Sequence, residues 1–153
     1  MRNALNNFEY DIYGKKINRF FLALSKLPMP SRCIRPLFVK WGVNVLNYKN
    51  TFIGSNVTFD TIHPEFITIS DGVVITTGCV ILTHFLNTRV HKFEYGHVYI
   101  GEKTFIGCNT IICKSVEIGK QSVIGAGSVI TKNIPDNEVW AGNPAKFIRA
   151  YIY

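Results

Sequence analysis

The 153 residues are 47% hydrophobic and 18% charged, which excludes a disordered chain and suits one ordinary domain. The formal charge of +7 does not make a nucleic-acid module, because the cations are scattered and no aromatic–basic constellation accompanies them; steering of an anionic ligand, or plain solubility, accounts for it. The sequence has no run of 18 apolar residues, the length a bilayer span demands, and Cys33, Cys79, Cys108 and Cys113 form neither a CxxC pair nor a zinc-ribbon spacing.

Residues 1–42 are set apart from the rest. Phe8, Ile12, Ile17, Phe20, Phe21 and Leu24 have a loosely helical spacing, with Lys15, Lys16, Arg19 and Lys26 among them, and the segment stops at Pro28 and Pro30. A second short apolar stretch from Ile34 to Val39 is also compatible with a helix. The expected role is a helical cap over an open end of the domain, since bare strand edges invite pairing. A basic amphipathic helix resting on an anionic membrane surface is the other reading, and the two can coexist. Met1-Arg2-Asn3 leads into polar residues without a signal-peptide pattern, so cytoplasmic residence is expected, with peripheral inner-membrane contact only on the second reading.

Residues 43–135 carry a repeat. Every sixth residue from position 100 is isoleucine: Ile100, Ile106, Ile112, Ile118, Ile124 and Ile130. Glycine follows four of the six, and Thr104, Thr110, Val116, Ser122 and Ser128 stand four places after an isoleucine. A period of six is neither helical nor simple strand alternation; it describes one short extended segment plus one turn. The isoleucine fills an interior and the small residue leaves it room. No single unit buries its own apolar side, so the units must stack into an all-β solenoid.

Upstream, the register runs through Ile53-Gly54-Ser55-Asn56-Val57-Thr58, slips across 61–66 as one larger corner, and recovers at Ile69, Ile75 and Ile81, with Val73 and Cys79 as small inward fillers. It is lost again from Phe85 to His97. A polar insertion of that length must leave the solenoid as an external loop, because its backbone groups would go unsatisfied inside. Residues 136–153 form a tail, in which Asn143-Pro144 signals a turn and 145–149 a short helix.

Two features make the sequence resemble the hexapeptide-repeat acyltransferases over roughly residues 51–149: the repeat itself, and an ending that reads Ile124-Gly125-Ala126-Gly127-Ser128-Val129-Ile130-Thr131-Lys132, Ile134-Pro135, Ala141-Gly142-Asn143-Pro144-Ala145-Lys146. The resemblance implies a left-handed parallel β-helix; its handedness comes from that likeness alone, since general crossover rules favour the opposite hand. It also implies acetyl-CoA as co-substrate without a metal, and a homotrimer whose active sites lie in grooves between neighbouring chains.

Candidate site residues follow. His84 ends a coil and opens the external loop, where the resembled family places its catalytic histidine; an imidazole near neutral pH suits removal of a proton from an attacking hydroxyl. His91 and His97 are rivals, and His63 before Pro64 reads as structural. Holding one tautomer requires an acceptor, for which Glu94 is one candidate and a backbone carbonyl another. Asp60 at the end of an upstream coil, and Asn87 and Arg89 in the loop, are candidate contacts to the acceptor hydroxyl and its saccharide. By position, the resemblance assigns coenzyme A contacts to Cys108, Ala126, Thr131 and Lys132, and to the cations Lys146 and Arg149, which suit its phosphates. Phe105 stands where many members have tryptophan.

The leading expectation is therefore direct acetyl transfer from acetyl-CoA to a hydroxyl of a sugar or polysaccharide precursor. His84-Phe85 replaces the His-Pro of the maltose and galactoside relatives, which resembles members that decorate capsule or exopolysaccharide units. A zinc hydratase of the gamma carbonic anhydrase kind, using His84, His91 and His97, is a second class, although their spacing does not match it. A non-catalytic scaffold is a third.

Overall fold

A computed structural model describes residues 16–32, 34–113 and 115–151. The helical expectation for residues before 16 lies outside the described residues. Among the described residues two short helices come first, α1 (Lys16–Leu24) and α2 (Ile34–Val39). Sixteen strands follow among the described residues. Fourteen of them fall into three sheets, which the chain visits in rotation.

The first sheet holds β1 (Asn44–Val45), β4 (Ile67–Ile69), β9 (Val98–Ile100) and β12 (Val116–Ile118). The second holds β2 (Phe52–Ile53), β5 (Val74–Ile75), β10 (Phe105–Ile106), β13 (Val123–Ile124), β15 (Glu138–Ala141) and β16 (Lys146–Ala150). The third holds β3 (Thr58–Phe59), β6 (Val80–Leu82), β11 (Ile111–Cys113) and β14 (Val129–Ile130). All pairs within these sheets are parallel except β15 with β16. Parallel strands that recur in three sheets by turns describe a chain that coils on itself with three flat sides.

Coil length is read from the register. Phe105 pairs with Val123 and Ile111 with Val129, a spacing of 18, or three units of six. Phe52 pairs with Val74, a spacing of 22, and the surplus is taken up around a 3-10 turn at Pro64–Phe66, the enlarged corner expected from the sequence. Val74 pairs with Phe105, a spacing of 31, and that surplus is the external loop. The loop is a β-hairpin, β7 (His84–Asn87) antiparallel to β8 (Lys92–Tyr95), so its backbone groups satisfy one another away from the coil.

Inside, the isoleucines form ladders. Ile53, Ile75, Ile106, Ile124 and Trp140 stack in the second sheet, while Phe59, Ile81, Ile112 and Ile130 stack in the third. Ile69, Ile100 and Ile118 stack in the first. The six isoleucines of the regular repeat are 0–1% exposed, so each contributes about 1.5–3 kcal/mol by the usual scale for burying such a side chain. The small inward residues keep their hydroxyls satisfied by turn carbonyls: Thr104 donates to Gly119 at 2.8 Å, Thr110 to Gly107 at 2.7 Å, and Ser128 to Gly125 at 2.6 Å.

Glycine after isoleucine has a concrete cause at Gly107, where a Cβ would stand 2.5 Å from the amide nitrogen of Ala126 on the next coil. The coils approach too closely there for any side chain.

The tail corrects the sequence expectation. Residues 146–150 are β16, an antiparallel strand on β15, and not a helix. A segment this short gains little from one helical turn, whereas the exposed edge of the second sheet supplies partners for its backbone.

α1 and α2 lie against the first coil. Leu22 is buried where Gly42 packs on it, and the Ser31 carbonyl accepts the Ile53 amide at 3.1 Å. Arg35, only 3% exposed, ties this region together. Its Nε donates to the Ser25 carbonyl at 2.9 Å, Nη1 to Ser31 Oγ at 2.7 Å and the Ile53 carbonyl at 3.0 Å, and Nη2 to the Leu27 and Met29 carbonyls at 3.3 and 2.9 Å. Among the described residues no helix is long and apolar enough to cross a membrane.

Candidate active site

The parallel pairing of β3 with β6 sets Phe59 opposite Ile81, so the residues that follow each strand emerge at the same corner. Asp60 and His84 meet there. Asp60 Oδ2 lies 2.5 Å from His84 Nδ1 and accepts the Thr83 amide at 2.8 Å; Oδ1 accepts the Ile62 amide at 2.8 Å. Asp60 is 2% exposed, whereas the His84 side chain keeps 24% of its surface open.

Burial works to raise the Asp60 pKa. It is outweighed by the Ile62 and Thr83 amides, then the His84 ring and the Thr83 hydroxyl, which together hold the carboxyl below its ordinary value. The outcome is an ionised carboxylate, anchored by backbone, that fixes the tautomer of a partly open imidazole: Nδ1 carries the proton and Nε2 is left as the basic atom.

This geometry corrects two residue assignments. Glu94 does not meet His84 Nδ1; its Oε1 accepts from Asn87 Nδ2 at 2.5 Å across the hairpin. Asp60 engages His84 and two backbone amides instead of presenting its carboxylate to solvent. Asn87 is likewise occupied within the hairpin, its Oδ1 accepting the Arg89 amide at 3.0 Å, while the Arg89 side chain is exposed. His91, in the hairpin turn, has φ 51°.

Aromatic rings line the same corner, which the sequence reading did not single out. The Phe93 ring lies 5.9 Å from His84. Tyr95, paired with His84 across the hairpin, meets His63 edge-on at 4.6 Å; His63 stacks on Phe66 at 4.9 Å, and Phe66 contacts His97 at 4.5 Å. The alternation of aromatic residues at 93 and 95 in an extended segment was the available signal. His63 Nδ1 also lies 3.4 Å from Glu65 Oε1, consistent with a packed, structural histidine.

The residues assigned to coenzyme A divide between two corners and the edge strand β16. Cys108 and Ala126 are both exposed and lie on successive coils where the second sheet turns into the third, with the Gly127 amide bonded to the Cys108 carbonyl at 2.7 Å. Thr131 and Lys132 follow β14 at the far end of the third sheet, the end where His84 follows β6, and Lys132 Nζ lies 5.6 Å from the Trp140 ring centre. Lys146 and Arg149 are exposed on β16, Arg149 beside the Tyr151 ring at 5.7 Å. Among the described residues no three His, Cys, Asp or Glu side chains gather as a metal site.

Comparison with known proteins agrees with the coil. The family profile described as bacterial transferase hexapeptide (six repeats) matches residues 97–132. Protein CapG of Staphylococcus aureus is 39% identical over 140 residues, covering 88% of this chain and 78% of CapG. The galactoside O-acetyltransferase of Escherichia coli K12 is 32% identical over 120 residues, and the match spans 74% of this chain but only 58% of that enzyme. The crystal structure of a maltose O-acetyltransferase from Clostridium difficile 630 superposes with a TM-score of 0.68 at 26% identity, over 95% of this chain and 90% of that one. Repeat, register and relatives agree: the chain belongs to the hexapeptide-repeat acyltransferases.

Proposed function

We propose that this protein transfers an acetyl group from acetyl-CoA to a hydroxyl of a sugar or polysaccharide precursor, with His84 as general base and Asp60 as the residue that positions it. The observation that carries the reading is the contact of His84 Nδ1 with a buried, ionised Asp60 at the mouth of the hairpin. With Nδ1 donating to Asp60, Nε2 takes the proton of the acceptor hydroxyl as its oxygen attacks the thioester carbonyl. The carbon–sulfur bond then breaks, the acetyl group stays on the acceptor oxygen, and the proton returns from Nε2 to the departing coenzyme A sulfur. Atoms balance without a covalent enzyme intermediate, so the chain supplies position and one base.

Several features support the donor side. Cys108 and Ala126 are small and exposed on adjoining coils, which leaves the backbone there open to a close-lying pantetheine arm. Lys132, Lys146 and Arg149 are exposed cations suited to phosphates. Because Cys108 and Ala126 lie across the third sheet from His84, one chain does not assemble all of these into a single cleft. A homotrimer of left-handed coils, with each site shared between neighbours, reconciles the two corners. The saccharide acceptor rests on the galactoside and maltose enzymes among the relatives and on the row of rings beside His84, whose faces suit the apolar sides of a sugar. Arg89 remains a candidate acceptor contact, with residence in the cytoplasm.

The test is thiol release from acetyl-CoA against a panel of sugars and sugar nucleotides. One or more should be acetylated, and His84→Ala should abolish turnover while coenzyme A still binds. Full activity in His84→Ala would reject the assigned base; no thiol release with any saccharide would reject the acceptor class.

A further inference from the structure

α2 is built inside out. Arg35, Pro36 and Val39 face the protein, and the arginine is enclosed by backbone carbonyls. Ile34, Leu37 and Trp41, at positions i, i+3 and i+7 of the helix and its following turn, face outward; Trp41 is 56% exposed. An apolar stripe at helical spacing ordinarily turns to the core. Here the core side is already filled, so the stripe is left for something else.

The patch continues beyond α2. Trp41 stacks on Phe21 at 5.3 Å, and Phe21 meets Phe20 edge-on at 5.7 Å, so the ring of Phe20, itself 61% exposed, extends the apolar surface onto α1. Leu27 and Leu46 are also exposed, by 52% and 67%. Nothing among the described residues covers this face. Contiguous exposed apolar surface on this scale marks an interaction site and not ordinary surface scatter.

Charge selects the occupant. Between Asp11 and Asp60 the sequence has no aspartate or glutamate, yet it carries Lys15, Lys16, Arg19, Lys26, Arg32, Arg35, Lys40 and Lys49. That excess of eight cations exceeds the formal charge of +7 for the whole chain. Lys26, Arg32 and Lys40 are exposed on the same N-terminal segment, Lys40 directly before Trp41 in the chain, and Lys40 Nζ lies 4.7 Å from the Tyr48 ring centre. Exposed apolar side chains on a segment whose only charges are cations, with a tryptophan among them, match the chemistry of a bilayer interface with anionic headgroups. A second copy laid face to face on this surface would present the same cations and be repelled.

We infer that the α1–α2 face is a docking surface for an anionic lipid bilayer, which holds the acyltransferase coil at a membrane without spanning it. This goes beyond the acetyl-transfer reading and does not depend on it.

The experiment is sedimentation of the full chain with vesicles of phosphatidylcholine alone or mixed with phosphatidylglycerol. Binding should be at least about ten-fold stronger to the anionic vesicles and should weaken with salt, since each cation near such a surface adds about five-fold. Trp41→Ser with Leu37→Ser, and separately Lys26→Glu with Lys40→Glu, should each lower binding about ten-fold or more, while melting temperature and oligomeric mass stay unchanged. Equal binding to neutral and anionic vesicles, or none, would overturn the inference. So would a fall in oligomeric mass in the Trp41→Ser, Leu37→Ser variant, which would assign the face to another copy of the chain.

Discussion

Asp60 Oδ2 lies 2.5 Å from His84 Nδ1, although 24 residues of chain separate them, because parallel strands one coil apart deliver both residues to the same corner. The carboxylate is not held by the histidine alone. Two backbone amides fix it first, so the imidazole meets an acceptor that is already in place.

Asp60→Asn keeps the size of the side chain but offers Nδ1 an amide that can donate, which favours the wrong tautomer. If His84 is the base, kcat/KM for the acceptor should fall about 10²–10⁴-fold, the range that loss of general-base catalysis spans. Affinity for coenzyme A should be unchanged, and steady-state kinetics beside equilibrium binding measures both. Glu94→Gln, which leaves the dyad intact, should cost much less.

The same pair makes stability depend on pH. The folded pKa of Asp60 is depressed, so its contribution is fully present above the unfolded carboxylate value of about 4 and is lost as pH falls through that value to the lower folded one. Melting temperatures of the parent and of Asp60→Asn should therefore differ most above about pH 5 and converge in acid. A difference that grew as pH fell would show the sign to be wrong.

Ile106 is fully buried between Ile75 and Ile124 in the ladder of the second sheet. Ile106→Ala should destabilise by about 2–5 kcal/mol, because rigid neighbouring coils cannot collapse into the space. Urea denaturation of the parent and of Ile106→Ala at equal protein concentration checks this.

Arg35→Met removes a fork that serves four carbonyls and a hydroxyl inside the N-terminal region. The loss should be roughly 3–5 kcal/mol, in line with leaving buried polar partners uncompensated. Arg35→Lys should recover little, since one ammonium does not reach both ends of that arrangement. Limited proteolysis should cut the 25–32 segment earlier in both variants.

Ala126 and Cys108 are exposed, so a large side chain at either should fit without disturbing the core. Ala126→Trp and Cys108→Trp should raise KM for acetyl-CoA at least about ten-fold while the melting temperature stays within a degree or two, since surface changes of this kind seldom move stability by more than about 0.5 kcal/mol. An unchanged KM in both would move the donor groove elsewhere.

The spacing of isoleucines was enough to give the inward face, the coil period and the enlarged corner near Pro64, because a period of six is a local pattern that each unit repeats for its own burial. The loss of register marked where the chain leaves the coil, and the family resemblance put the candidate histidine there, at His84. The partner of His84 was out of reach. Glu94 is nearer in sequence, and only the coil length, stretched by the 3-10 corner, decides that residue 60 arrives beside residue 84.

The tail and the outward stripe of α2 belong with that second kind of fact. Residues 146–150 pattern as well for a short helix as for a strand, and the unpaired edge of β15 decides between them. The sequence likewise marks 34–39 as a short apolar stretch compatible with a helix without saying which side faces in; the carbonyls that enclose Arg35 decide it. What repeats locally was settled by the sequence, and what depends on a neighbour brought up from elsewhere in the chain was settled by the assembled coil.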